Sequence, residues 1–496
     1  MPDVAIAAPN EAAADAGERA ALAGGNAVDA AVAAVLVTMV NEVGLVSLSS
    51  GGFVTVQPPG SGPAWTVDGW MDMPGRGLDV PPGTGTWDVH TSYGGGVDIT
   101  IGPGSVAVHG ALLALGEAHA REGSLPWAEL VAPAVEVARG GFRLGAASRY
   151  YLEHVHDSIF GWDPVSSAAV HDPTGAVTTE PLVVPGLVDT LEALARTGPH
   201  ALNSGELGRA IGADVRARGG LLGPEDLAGY RTVTRPSILH RTGPWSLSTT
   251  PSPSVGGVCV AAMLRLLDGR PRGGWDEAEV ARLVEVQRAV LGHRHAHLDR
   301  AEDPEGAARD LLALLADGGE LPGSGSTAHV STADSDGRAC AVTVSSGYFS
   351  GMVAAGTGVW LNNSLGEQEL NARGLHAAPP GTRLQSNMAP TVARHDDGSV
   401  LAVGSPGASR ISTAVVQVLA GYVGGMSLEE AVRHPRVHVH RAGTPEEEVQ
   451  VETVLSMYFG GVGVALAHPD GRLLAAADPR REGAVRTVTG GAAARG

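Results

Sequence analysis

The sequence predicts an α/β or α+β layered protein, and three observations carry that prediction. The first two-thirds of the chain are dominated by helical patterns separated by turn signals. The last third reads as a series of short β runs. The 496 residues suit one large layered body or two to four domains. Hydrophobic residues are 43% and charged residues 18%, which excludes a wholly disordered chain. The 70 glycines and 32 prolines follow no Gly-X-Y period, so connections are tight and collagen is excluded. All basic residues are Arg, no basic block exists, and the net charge is −19, which argues against nucleic-acid binding. Cys259 and Cys340 cannot build a disulfide framework, and no CxxC pair suggests zinc or redox work. Glu11, Asp15 and Glu18 interrupt the N-terminal apolar residues, so no secretory signal is expected. The longest apolar stretch, 30–40, is too short to cross a bilayer, so the expectation is a cytoplasmic protein without a membrane partner.

The elements follow in order. Asn26 or Asp29 caps a helix whose residues, AVDAAVAAVLVTMV, are apolar almost all round, as for a helix buried between layers. Gly51-Gly52 then turns the chain into a strand ending near Val56, with 64–67 as its hairpin partner. The Gly/Pro-rich stretch 74–104 reads as an irregular loop. Helices are expected through 107–144, with Pro126 in a first turn, and on through 150–230, where Gly223-Pro224 opens another. A short strand at 245–250, an apolar helix after Ser254-Val-Gly-Gly257 and a helix at 276–300 precede a small-residue linker, 318–326. Beyond it, β runs are expected at 329–333, 339–345, 358–361, 391–394 and 400–404. Helices at 411–423 and 428–433 and β runs at 437–440, 449–451 and 462–467 complete the chain.

The junction Gly323-Ser-Gly-Ser-Thr327-Ala-His-Val carries the chemistry. A small-residue tail runs into Thr327, and a strand begins at once. A chain cut before Thr327 would expose a hydroxyl and an α-amino group on one residue. A Thr hydroxyl needs an adjacent base, and an amine with an ordinary pKa of about 7.7–8.0 supplies one. Taken alone, the junction also reads as a Ser/Thr-rich loop entering a strand. Gly404-Ser-Pro-Gly407 joins a strand to a helix and can aim successive N–H groups at one point, as an oxyanion hole does, or serve as an ordinary turn. His293 and His297 have i,i+4 spacing, but no HExxH or third ligand accompanies them, so a solvated helix face is the better reading. His438 and His440 alternate on a strand and read as structural. No GKS/T motif, strand–GxGxxG–helix order or GxSxG elbow is present.

At these positions the sequence resembles the γ-glutamyltranspeptidase (γ-glutamyltransferase) family of N-terminal-nucleophile hydrolases, as a divergent member. The similarity runs through Gly24-Gly-Asn-Ala-Val-Asp, Leu125-Pro-Trp-Ala-Glu-Leu, Gly219-Gly-Leu-Leu, Thr327-x-His329-x-Ser331, Leu361-Asn-Asn, Met388-Ala-Pro-Thr and Gly404-Ser-Pro-Gly407 with Ser409-Arg-Ile. The resemblance implies a four-layer αββα sandwich and autoproteolysis into a large subunit, 1–326, and a small one, 327–496. It implies Thr327 as nucleophile with its own amine as base, and Gly407 and Ala408 as oxyanion donors. Ala408 replaces a second glycine, and Ser345 falls where a supporting Thr is usual. The family grips the glutamyl α-carboxylate with an Arg and two Ser. Here Trp70 stands at the Arg position, Ser386 remains, and Asn387 replaces the second Ser. Of the amino-group contacts, an Asn and a Gln become Gly347 and Ser364, and Glu367 keeps the acidic partner. Arg76 is a nearby cation, and whether it replaces the missing Arg is left open by the sequence. The partners implied are a small-molecule substrate and the two subunits of one precursor, with a heterotetramer of two processed chains as a form of assembly. No metal or organic cofactor is implied.

The expected activity is acyl transfer from an acyl-enzyme on Thr327 to water or an amine, with a substrate other than glutathione in specialised metabolism. Acyl C–C cleavage, as attributed to homologues in alkylproline antibiotic pathways, uses the same attack. A conventional γ-glutamyl hydrolase or transpeptidase is the alternative within the class. An inactive family member acting as a binding protein is the alternative outside it.

Overall fold

The computed structural model describes residues 1–79, 81–93, 96–267, 276–299, 301–314, 327–367, 370–407 and 410–490. The linker predicted at 318–326, and with it Ser326, lies outside the described residues, as does Ala408. Two antiparallel sheets form the centre. The first has seven strands in the order Ala484–Val488, Val4–Ala8, Ala328–Asp334, Ala339–Ser345, Gly51–Gln57, Trp65–Gly69 and Val233–Pro236. The second has six: Leu473–Ala477, Gly463–Ala467, Val400–Gly404, Thr391–His395, Trp245–Thr249 and Ile238–Thr242.

Small side chains fill the space between the sheets. Ala5, Ala333, Ala339 and Ala341 of the first meet Val392, Val400, Ala402, Ala465 and Ala467 of the second. Strand alternation turns Ala328 and Val330 the other way, into a cluster with the helices of the first two hundred residues. On the far side, Leu247, Leu401, Val403, Val464 and Leu466 pack under Val255–Leu267, Glu277–His293 and Arg410–Val423. The result is the αββα sandwich that the resemblance implied.

Helix Ala27–Asn41 is buried at every position, as its all-round apolar pattern predicts. Asn26 and Asp29 form its capping box, with Asn26 Oδ1 accepting from Val28 N at 2.8 Å and Asp29 Oδ2 from Asn26 N at 2.9 Å. The same terminus is tied to strand Ala328–Asp334. Ala27 N donates to Asp334 Oδ2 at 3.0 Å, and Thr332 Oγ1 donates to Ala27 O at 2.7 Å.

Several expectations need correction. The stretch 74–104 is not wholly irregular: Trp87–Thr91 and Val97–Ile101 pair as a hairpin. The division into helical and β-rich parts is softer than predicted, because Val4–Ala8, Val233–Pro236 and Ile238–Thr242 are strands from the first two-thirds. The 276–300 helix ends at His293 in a π turn, Arg294–Leu298. A further helix, Pro304–Leu314, precedes the linker.

Candidate active site

Thr327 is 4% exposed and immediately precedes strand Ala328–Asp334. Its side chain shares the parity of His329, Ser331 and Ala333, which face the second sheet. The neighbouring strand pairs Val344 with Ala328 and Thr343 with His329, so the next position carries Ser345 opposite Thr327. Ser345 is buried, and its Oγ accepts from Gly347 N at 3.0 Å.

The glycine turn arrives from the second sheet. Ala333 clusters with Val400 and Ala402, whereas His329 lies against Gly404, where a Cβ would stand 2.4 Å from the imidazole Cε1. As one strand runs from 333 down to 329, the other runs from 400 up to 404. Continued in this sense, Ser405-Pro406-Gly407 faces Thr327. Gly407 has φ +124°, and a Cβ there would stand 2.7 Å from Gly460 Cα. Glycine is therefore required twice over, by torsion and by space. Gly461 N donates to Ser405 Oγ at 3.1 Å, and Arg410 N to Gly407 O at 3.0 Å, which holds the turn at the head of helix Arg410–Val423.

Beneath Thr327 lies a neutral relay. Ser331 Oγ donates to Gly463 O at 3.0 Å, so it accepts from His329 Nε2–H at 2.7 Å. Nδ1 then accepts from Thr343 Oγ1 at 2.8 Å. Burial lowers the His329 pKa to about 3, so the ring is uncharged at neutral pH and unsuited to act as a base there. His329 belongs to the motif read in the sequence, but its spacer role does not follow from the motif.

The remaining predicted residues gather on one side. Trp70 follows strand Trp65–Gly69, and its ring lies over Gly51, the residue paired with Ser345. It is 1% exposed, stacks on Phe53 with centroids 6.4 Å apart, and donates its indole N–H to Gln385 O at 2.7 Å. That bond brings it to the Ser386-Asn387 segment. Asn387 is 4% exposed, and neither atom of its amide has a hydrogen-bond partner among the described residues. Ser364 Oγ is likewise buried without one. The Ser386 hydroxyl accepts from Met388 N at 3.3 Å. Glu367 is buried against Gly347, where a Cβ would stand 2.8 Å from its Oε1.

Charges around Trp70 neutralise one another. Arg383 pairs with Asp68 at 2.7 Å and Asp72 at 2.6 Å, and Arg235 also reaches Asp68 at 3.0 Å. Burial still lifts the Asp72 carboxyl to about 6 against the pull of Arg383. Arg76, the sequence candidate for a replacement cation, is half exposed and lies 3.9 Å from Asp226. Arg383 was missed because it comes from a loop more than 300 residues beyond the strand it neutralises. Among the described residues no group of three His, Cys, Asp or Glu is placed to hold a metal. The His293 and His297 rings pack edge to face with centroids 4.1 Å apart.

A family model described as Gamma-glutamyltranspeptidase matches residues 13–317 and 315–488. An acylase ACY 1 proenzyme from a Pseudomonas species is 30% identical over 97% of this chain and 93% of its own. A glutathione hydrolase proenzyme of Pseudomonas aeruginosa is 30% identical over 88% of this chain and 82% of its own. The crystal structure of a cephalosporin acylase from Bacillus halodurans superposes with a TM-score of 0.77 at 21% identity, over 98% of this chain and 96% of that one.

Proposed function

The chain belongs to the gamma-glutamyltranspeptidase family of hydrolytic and acyl-transferring enzymes, and on that footing we propose that it is an autoprocessing acyltransferase whose acyl donor is not an ordinary γ-glutamyl compound. What supports this reading is the burial of Thr327 at the head of strand Ala328–Asp334, in register with Ser345, where His329 of the same strand packs against Gly404 at the start of the glycine turn. In maturation, the Thr327 hydroxyl attacks the carbonyl carbon of Ser326. The peptide C–N bond breaks, an ester to Oγ forms, and the proton passes to the freed amine. Water hydrolyses the ester, leaving a carboxylate on Ser326 and a free hydroxyl beside a free amine on Thr327. Both products stay in the fold, because 328–334 is held between 4–8 and 339–345 of the same sheet.

In turnover, the amine takes the proton from Oγ as the oxygen attacks the donor carbonyl. Gly407 N–H and Ala408 N–H would receive the developing oxyanion, and such a donor is worth roughly 10²–10³ in rate. The amine returns the proton to the leaving group, and water or an acceptor amine then takes the acyl group. Ser345, whose Oγ already accepts from Gly347 N, retains its hydroxyl proton to support the nucleophile. Acyl C–C cleavage follows the same course with a stabilised carbanion as leaving group, which is how a role in antibiotic biosynthesis would enter.

Trp70, Asn387 and Ser364 support the altered specificity. A bidentate Arg–carboxylate pair cannot be reproduced by an indole already bonded to Gln385 O. The unpartnered Asn387 amide offers a neutral donor and acceptor in its place, and the unpartnered Ser364 hydroxyl stands where an amino-group contact is usual. The test compares turnover of γ-glutamyl-4-nitroanilide and glutathione with that of acyl-4-nitroanilides lacking the α-carboxylate. Faster turnover of the latter is expected; rapid turnover of glutathione would overturn the specificity.

A further inference from the structure

We propose that Arg481 forms an anion subsite on the opposite side of Thr327 from Trp70 and receives a carboxylate carried by the leaving or accepting half of the substrate. This rests on the reading above that Thr327 is the nucleophile and that the acyl group occupies the Trp70–Asn387 side.

Register sets the placement. Ala8 pairs with Ala484, and Ala7 pairs with Ser331, so the start of strand Ala484–Val488 lies at the sheet end where Thr327 sits. Two strand spacings, about 10 Å, separate the two strands, within the combined reach of a substrate and an Arg side chain. A Cβ on Gly461 would stand 2.9 Å from Cγ and Cδ of Arg481 and 3.1 Å from Pro406 Cγ. The stem of Arg481 therefore lies along the glycine turn. Tyr93, Glu42 and Asp478 and the cation Arg410 act on its charge, and Tyr93 packs against Tyr348 with ring centroids 6.4 Å apart. Tyr348 directly follows Gly347, the donor to Ser345. The guanidinium thus lies between the turn and the aromatic wall that continues from the strand of Ser345.

Its chemistry is unusual for a buried cation. Arg481 is 8% exposed, its Nε has no hydrogen-bond partner, and no carboxylate stands within ion-pair distance among the described residues. The other buried arginines each hold a carboxylate, although Arg436 Nε also lacks a hydrogen-bond partner. Arg480 holds Glu452 and Asp478, Arg436 holds Asp478 at 2.6 Å, and Arg294 holds Asp299 at 2.8 Å. Glu42, one of the carboxylates acting on the Arg481 charge, is engaged by Asn10 Nδ2 at 2.7 Å. Removing a guanidinium from water without a partner is costly, and a bound carboxylate offsets that cost by accepting two parallel N–H bonds. The family's cation is absent from the acyl side, and an unpaired one stands across the nucleophile.

Direct binding to the processed enzyme tests this without turnover. The probes are 5-amino-2-nitrobenzoate and its uncharged counterpart 4-nitroaniline, titrated calorimetrically into the native protein, Arg481→Gln and Arg481→Lys. The native protein is expected to bind the carboxylated probe at least tenfold more tightly than the neutral one. Arg481→Gln should reduce that ratio below threefold, and Arg481→Lys should keep part of it. A native ratio near one, or a tenfold ratio that survives in Arg481→Gln, overturns the subsite. A thermal midpoint for Arg481→Gln within a few degrees of native shows that the side chain is not merely structural. An Arg481-dependent ratio in a protein that fails to acylate at Thr327 would sink the nucleophile assignment and leave the anion subsite standing.

Discussion

The two sides of Thr327 are built from the same sheet yet treat charge in opposite ways. Toward Gly51–Gln57 and Trp65–Gly69, charges close on one another: Asp68 and Asp72 meet Arg383, and the Trp70 indole is capped by Gln385 O. Toward Val4–Ala8 and Ala484–Val488, Arg480 is fully paired while its neighbour Arg481 has no ion-pair partner among the described residues. A self-satisfied cluster stabilises the fold and recognises nothing. An unsatisfied buried group is a place where a ligand gains energy. The central strand carries chemistry common to the family, and the two sides set what is brought to it.

The largest expected effect is at the centre. Thr327→Ala should leave one unbroken chain of about 50 kDa without activity, where the native protein gives fragments near 33 and 17 kDa, roughly two-thirds and one-third of the mass by residue count. A denaturing gel reads this, and normal cleavage in the variant would refute the attack by Thr327. Next is Gly407→Val, which forces a β-branched residue to φ +124° against Gly460. A loss of roughly 100-fold or more in kcat is expected from the displaced oxyanion donor; an unchanged kcat would detach the turn from the chemistry.

Stability sharpens the contrast between the sides. Trp70→Ala should cost about 3–5 kcal/mol in urea unfolding, as an aromatic core truncation. Arg480→Gln should cost a similar amount, about 3–5 kcal/mol, because Glu452 and Asp478 lose a buried partner. Arg481→Gln should change stability by less than about 1 kcal/mol, since no ion pair is broken. Equal costs at positions 480 and 481 would erase the distinction.

A pH slope is expected as well. Burial lowers the pKa of His329 to about 3 and of His109 to about 4, from an ordinary 6.5. The unfolded chain binds protons near pH 6.5 that the folded chain refuses until about pH 4 or below. Stability is therefore full above pH 6.5 and falls as pH drops from there toward 4, by about 1.4 kcal/mol per pH unit for each ring. His109→Gln should reduce the slope of the urea midpoint against pH. A midpoint that is flat between pH 6.5 and 4.5 in the native protein would contradict the burial of neutral imidazoles.

Much of this was legible in the residues. Ala27–Asn41, Arg410–Val423 and Leu428–Arg433 declare themselves through period and caps, and they fall within one or two residues of expectation. The Thr327 junction and the Gly404–Gly407 turn were singled out from local sequence, and Ser345 and Trp70 from the family resemblance; Thr327, Ser345 and Trp70 lie at one end of the first sheet. Strand Val4–Ala8 was missed for a physical reason. A central strand buried on both faces shows no alternation, and its partners lie more than 320 residues away. Arg481 was missed because Asp478-Pro-Arg-Arg-Glu482 reads as a solvated charge run. Only the packing of Gly461 and Pro406 over its stem shows that it is buried.

Intact mass spectrometry of the purified protein, before and after a brief exposure to an acyl-4-nitroanilide, tests the central claim most directly. Two polypeptides separated between residues 326 and 327 are expected, with the acyl mass added to the smaller and mapping to Thr327. A single unbroken chain with full activity, or an adduct on any other residue, would contradict it.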